Sequence, residues 1–163
     1  MCTGNRFYGH ALIGEQAVAC APFDKGVHSN LLLAISSVGV VGYFLSQGTT
    51  SGTDYINFIR DCVCPHFPSD RFLWVMMDNA SIHVSAEALV RMLGNAGGHR
   101  PLFRPVCSPD LAPIEGVNGE IKQFLRNHRS LITPDTLHQA VRTALESIPS
   151  SHFTHFFAHC GYR

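Results

Sequence analysis

Two acids in this chain occupy positions where carboxylates could do chemistry. Asp78 lies in the segment LWVMMDNASIH, Leu73 to His83, and Glu115 lies in CSPDLAPIEGVNGEIKQFLR, Cys107 to Arg126. Asp78 follows a short, continuously apolar run, Phe72 to Met77, which reads as a strand buried on both faces. Its carboxylate would emerge at that strand's C-terminal end, the edge where sites form in open α/β sheets. Glu115 stands two residues after Pro113, in the first turn of a predicted helix, where the positive end of the helix dipole favours a carboxylate. Carboxylates from separate elements are what hard divalent cations require. Two such ions about 3.5–4 Å apart can bracket the attacking and leaving oxygens of a phosphodiester.

The same predicted helix offers cations. At about 100° per residue, Glu115, Lys122 and Arg126 fall on one stripe, and Ile114, Val117, Ile121 and Leu125 fall on a neighbouring stripe that would face a core. Lys122 and Arg126 would then be free to meet nucleic-acid phosphates. Taken singly, none of these residues is diagnostic. An Asp after a strand is ordinarily a turn residue or a cap. A Glu at a helix start is ordinarily a dipole partner, and a Lys/Arg stripe is ordinarily a solvated face. Context, not residue type, raises them.

Other constellations are weaker. Cys62, Cys64 and His66 could offer ligands to zinc, as could His152, His155, His159 and Cys160. But Cys62 falls on a predicted core face, and the terminal histidines alternate with Phe153, Phe156 and Phe157 as in an amphipathic helix. There is no G-x-S-x-G elbow and no P-loop, and Ser81 and His83 are too close in sequence for a nucleophile and its base.

The elements that must position the acids follow from periodicity and punctuation. Residues 1–27 carry Gly4, Gly9, Gly14, Pro22 and Gly26 and read as loop with one short strand, Ala17 to Ala21. Leu31 to Val38 and Val40 to Leu45, with Gly39 between, predict an antiparallel hairpin. Thr50 to Val63 predicts a helix burying Tyr55, Phe58, Ile59, Cys62 and Val63, closed by Pro65 and Pro68. After the Asp78 strand, Ser85 is placed to cap a helix with Leu89, Met92 and Leu93 inward and Gly97-Gly98 as its stop. Pro101 to Arg104 predicts a last strand. Thr133-Pro134 opens a helix striped by Leu137, Ala140, Val141, Ala144, Leu145 and Ile148, and Ser151 to Cys160 predicts a short helix.

Composition sets the outer bounds. The chain has 163 residues, 45% hydrophobic and 15% charged, which predicts one globular domain over residues 1–163. A formal net charge of +0 weighs mildly against strong DNA affinity from this chain alone. No apolar run reaches the roughly 18 residues of a membrane span, and Met1 to His10 lacks the core of a signal peptide. Six scattered cysteines with no C-x-x-C pair predict reduced, intracellular thiols.

The two acid-bearing blocks resemble those of mariner-type DDE transposases. DNASIH and SPDLAPIE, in that order and with 36 residues between Asp78 and Glu115, are similar to the segments bearing the second and third acids of that family. RFYGHALIGEQA (Arg6 to Ala17), the Leu31 to Ile59 stretch and FAHCGY (Phe157 to Tyr162) add weaker likeness. The resemblance implies an α/β fold, a ribonuclease-H-like mixed sheet flanked by helices. It implies a catalytic core for DNA cleavage and strand transfer in transposition, with Asp78 and Glu115 as catalytic acids and ligands of Mg²⁺ or Mn²⁺, Asn79 and His83 as supporting residues, and Lys122 and Arg126 as DNA contacts. It further implies transposon-end DNA as partner, a homodimer, a nuclear location and no small-molecule cofactor.

The departures are as informative. Many relatives have Asn where Ala112 stands and Trp where Asn118 stands. No residue matches the first Asp, since Glu15 and Asp24 fall in the Gly-rich stretch and Asp54 and Asp61 on the first helix. The expectation is therefore a core lacking its first, central strand, an N-terminal truncation, and no cleavage by the isolated chain. The alternative is a catalytically dead, transposase-derived DNA-binding or dimerisation module.

Overall fold

The computed structural model describes residues 12–14, 28–67, 73–84 and 100–162. The predicted hairpin forms from β1 (Ser29–Ser36) and β2 (Gly39–Gln47), paired antiparallel from Ser29↔Gln47 to Ser36↔Gly39. A register shift between Ala34 and Ile35 leaves Val41 as an extra residue. Such a bulge re-aims side chains, and here Val41 joins Leu32 and Ala34 against one core cluster. Leu31, Leu33, Ile35, Val40, Tyr43 and Leu45 point the other way, into a second cluster. Because both faces are covered, both are apolar, and the hairpin is a wall shared by two cores.

The first core is built on α1 (Gly52–Phe58). Ser51 and Asp54 form a reciprocal capping box that starts it. The helix then widens into a π-turn, Ile59–Val63, and tightens into a 3₁₀ turn, Cys64–His66, at Pro65. Tyr55, Ile56, Phe58, Ile59 and Val63 are buried with Met77 of β3 (Trp74–Met77). Gly42 of β2 lies so close to the π-turn that an added Cβ would stand 2.5 Å from the Cys62 carbonyl oxygen.

β3 pairs parallel with β4 (Arg100–Phe103), from Trp74↔Arg100 to Met77↔Phe103. This corrects one expectation. β3 is buried on one face only: Met77 is 8% exposed and Trp74 is 59% exposed. Among the described residues the strands form two separate two-stranded sheets, and β3 takes only β4 as a neighbour. A helical turn, α2 (Ser81–Val84), begins three residues after Asp78, four residues ahead of the predicted cap at Ser85. The predicted strand at Ala17 to Ala21 and the inward Leu89, Met92 and Leu93 lie outside the described residues.

The second core comes from three helices, α3 (Pro113–Asn127), α4 (Leu137–Glu146) and α5 (Ser150–His159). The predicted stripes are the buried ones: Val117, Ile121, Val141, Ala144, Leu145 and Ile148, with Phe153 added from α5. α5 is fastened by Thr154 Oγ1 donating to Ser37 O at 2.9 Å and by His152 Nδ1 against Glu120 Oε1 at 2.7 Å. No helix among the described residues is long and apolar enough to cross a membrane.

Candidate active site

Asp78 leaves the sheet where β3 ends. The backbone N–H of Arg104 donates to Met77 O at 3.0 Å, so β4 holds β3 through its last residue. Asp78 Oδ1 then accepts the Ala80 N–H at 3.0 Å and meets His83 Nδ1 at 2.7 Å. With the carboxylate ionised, Nδ1 carries the proton and donates. Oδ2 takes no hydrogen bond from any described residue, and the Asp78 side chain is 52% exposed. The acid therefore has one oxygen fixed by the protein and one facing outward.

Electrostatics keeps it charged. Partial burial pushes the Asp78 carboxyl up. That push is outweighed by the Ala80 N–H, the neighbouring His83 and the Arg104 guanidinium, which together hold it below the usual carboxylate range. Tyr55, from α1, sets its ring against His83 with centroids 4.5 Å apart and planes tilted by 39°, and sends its hydroxyl toward Met77 Sδ at 3.9 Å. Burial, and secondarily the Asp78 charge, push the Tyr55 phenol up to about 12. Asn79 Nδ2 donates to Arg104 O at 2.6 Å, closing the loop onto β4.

Glu115 has a different setting. It is exposed in the first turn of α3, and its N–H donates to Ala112 O at 2.9 Å. Ala112, at the N-cap, supplies no side-chain hydrogen bond, as its residue type dictates. The Glu115 carboxylate has no hydrogen-bond or ion-pair partner among the described residues. Gly116, beside it, lies under Phe156: an added Cβ would stand 2.5 Å from that ring. Lys122 and Arg126 are exposed farther along α3, with Arg126 Nε donating to Lys122 O at 3.0 Å.

Thus Asp78, Asn79 and His83 gather at one strand end, while Glu115, Lys122 and Arg126 share the exposed side of one helix. The segment between is leashed at both ends: Arg104 Nη1 donates to Ser108 O at 2.9 Å, and Tyr162 Oη donates to Leu111 O at 3.0 Å. Sequence reasoning did not single out Tyr55 or Arg104. Tyr55 was visible only as a core position. Arg104 had one local signal, a cation ending an apolar strand just before a proline.

The remaining acids and thiols have other roles. Asp54 caps α1 through Ser51, and Asp61 pairs with Arg60 at 2.6 Å. Glu15 and Asp24 lie outside the described residues. No three His, Cys, Asp or Glu side chains gather to hold a metal among the described residues, which removes the zinc reading of the Cys62 and His155 groups there. Burial also pushes the Cys64 and Cys160 thiols up, away from the thiolate a zinc ion prefers.

The architecture has solved counterparts. It is similar to the Mos1 transposase paired-end complex with left transposon end, at a TM-score of 0.64 and 17% identity, covering 96% of this chain and 47% of that one. It is likewise similar to the Mos1 mariner paired end complex with Mn, at a TM-score of 0.63 and 18% identity, covering 96% and 48%. This chain spans about half the length of those chains, and at such identities the likeness is one of fold, a mixed α/β ribonuclease-H-like fold. A sequence comparison with curated proteins finds no match. The family model described as DDE superfamily endonuclease matches residues 2–138, and the chain belongs to that family.

Proposed function

We propose that this chain is the catalytic-core portion of a mariner-like DDE transposase, acting on transposon-end DNA. In this reading Asp78 and Glu115 are two of the carboxylates that hold divalent cations, Mg²⁺ or Mn²⁺. The observation that carries it is the state of Asp78: ionised, at the C-terminal end of a parallel strand pair, with Oδ2 facing outward. The donor set fits in kind, because hard cations take carboxylate oxygens with positions left open for water and phosphate. When bound, the cations supply charge stabilisation for the attacking and leaving oxygens of the phosphodiester.

The chain's own residues do the positioning. His83 and the Ala80 N–H fix Oδ1, so the carboxylate presents Oδ2 in one orientation. Asn79 holds the Asp78 loop to β4. Glu115 is offered from the first turn of α3, and Lys122 and Arg126 give the DNA backbone two cations on the same helix. The two cations are without carboxylate partners among the described residues, unlike Arg60 and Arg142, which pair with Asp61 and Glu146. A third carboxylate is needed; among the other described acids, Asp54, Asp61, Glu120 and Glu146 are held by Ser51, Arg60, His152 and Arg142. We place the working protein in the nucleus, as a homodimer on DNA ends, with the third acid supplied from beyond the described residues.

Two measurements test this. Mn²⁺ binding, read by electron paramagnetic resonance, is expected to weaken about tenfold or more on either Asp78→Ala or Glu115→Ala, the loss of one of few charged ligands. An unchanged affinity in Glu115→Ala would show that the two acids serve different sites. In a strand-nicking assay with Mg²⁺ or Mn²⁺, the isolated chain is expected to be inactive. Nicking that disappears in Asp78→Ala would overturn that expectation and show that the chain holds a complete acid set.

A further inference from the structure

Arg104 is placed unlike any other described cation. Its backbone N–H holds Met77 O and its carbonyl holds Asn79, so its Cα is pinned between β3 and the Asp78 loop. Its guanidinium is half-buried and reaches back to Ser108 O through Nη1. A guanidinium carries several N–H donors in a planar fork. Only this one is used among the described residues, and no carboxylate of a described residue lies within ion-pair distance of it. Asp78 feels its charge on one side, and Cys160 and Tyr162 feel it on the other. A fixed, part-buried guanidinium with donors left over is shaped to take an anion through two of them at once. Arg60 and Arg142, by contrast, already lie on their carboxylates.

We propose that Arg104 is an anion-contact residue: its guanidinium, fastened beside the end of β3 by the Ser108 carbonyl, takes a phosphate group of the nucleic-acid strand brought to Asp78. The identity of the strand rests on the proposed function; the phosphate contact itself does not. The planar fork matches two oxygens of one phosphate, and the pinned backbone means that little side-chain freedom is lost on binding. The contact would also offset the repulsion between a phosphate and the ionised Asp78.

The test uses the full chain without metal. Arginine Nε–Hε resonances are followed by nuclear magnetic resonance during titration with inorganic phosphate, against chloride at matched ionic strength. The Arg104 signal is expected to move saturably with phosphate, and those of Arg60 and Arg142 to stay with the chloride control. An Arg104 signal that tracks the chloride control overturns the proposal, whatever the Mn²⁺ experiment shows. Arg104→Lys, which keeps the charge but loses the fork, is expected to weaken phosphate binding about tenfold. Because the wild-type signal is itself the readout, a variant that fails to fold does not blunt the test. A second arm uses a short single-stranded DNA and fluorescence anisotropy. Arg104→Gln is expected to weaken binding about tenfold and to flatten its salt dependence by about one phosphate contact. A phosphate response with unchanged DNA affinity would overturn the nucleic-acid assignment and give the site to a small phosphate.

Discussion

The two acid-bearing regions are organised by different physics. Around Asp78 the scaffold is thin: a four-residue strand whose only neighbour among the described residues is β4, and which contributes one buried side chain, Met77. What holds that acid is polar, a set of hydrogen bonds from Ala80 and His83, with Asn79 tying the loop to Arg104. Around Glu115 the scaffold is thick. Three helices and one face of the hairpin enclose Val117, which is 0% exposed, and the acid itself touches no polar partner among the described residues. Asp78 is therefore oriented by bonds to the carboxylate, and Glu115 by where packing puts its backbone. A site assembled in this way fails in two ways, by loss of a polar contact on one side and by loss of packing on the other.

The shared hairpin makes the comparison breakable. β1–β2 lends alternate faces to both clusters, so we expect the two regions to unfold together as one domain. Phe153→Ala in the helical core and Phe58→Ala in the α1 core each remove a buried ring, at a cost of about 3–5 kcal/mol. Urea unfolding followed by hydrogen exchange should show Phe153→Ala lowering protection in β3 as well as in α3 to α5. If β3 amides keep their wild-type protection, the halves are separable, and the single-domain reading of residues 1–163 fails.

A smaller effect isolates the packing that aims Glu115. Gly116→Ala sets a methyl into the Phe156 ring and should cost about 1–3 kcal/mol, because overpacking shifts side chains or backbone. Gly119→Ala, one turn along the same helix with nothing within 4 Å of its added Cβ, should instead stabilise by up to about 1 kcal/mol through helix propensity. Opposite signs from the same substitution would tie the cost to Phe156. If both variants stabilise, the ring yields freely and packing does not set the position of Glu115.

These contrasts explain what was legible beforehand. The α3 and α4 stripes could be read because helical burial repeats along the chain itself: Val117 and Ile121, then Val141, Ala144 and Leu145. The hairpin, β4 and Pro113 at the start of α3 were legible for similar local reasons. The half-exposed β3 was not. Four apolar residues look the same whether one face or two is covered, and coverage depends on neighbours distant in sequence. The His83–Asp78 bond could be guessed as support from the DNASIH block. The Tyr55 ring beneath it could not, because it arrives from a helix 23 residues earlier than Asp78 and reads as ordinary core. The capping box at Ser51 and Asp54 was readable in principle, as Ser followed by an acid three residues on, and it accounts for an acid that otherwise competes for a catalytic role.

The smallest effects at neutral pH concern charge, and they probe the polar side alone. Asp78 titrates below the ordinary carboxylate range, so the stability it contributes is present above the unfolded value of about 3.9 and is lost as pH falls through the folded one. His83→Ala removes part of what offsets the burial of Asp78 and leaves Ala80 and Arg104. The carboxyl midpoint, followed by carbon resonance in metal-free buffer, should therefore rise. Tyr55 gives the opposite sign at the other end of the scale. Its folded value, about 12, lies above the ordinary phenol value of 10.0, so the stability it adds is complete below 10 and fades as pH climbs toward 12. Asp78→Asn should lower the Tyr55 midpoint only modestly, since burial is the larger cause and the Asp78 charge the lesser. Ultraviolet absorbance of the phenolate measures it. A Tyr55 midpoint that falls to the ordinary phenol value in Asp78→Asn would mean that the charge, and not the α1 core, governs that ring, and the thin-scaffold description of the Asp78 region would have to include α1 as an electrostatic partner.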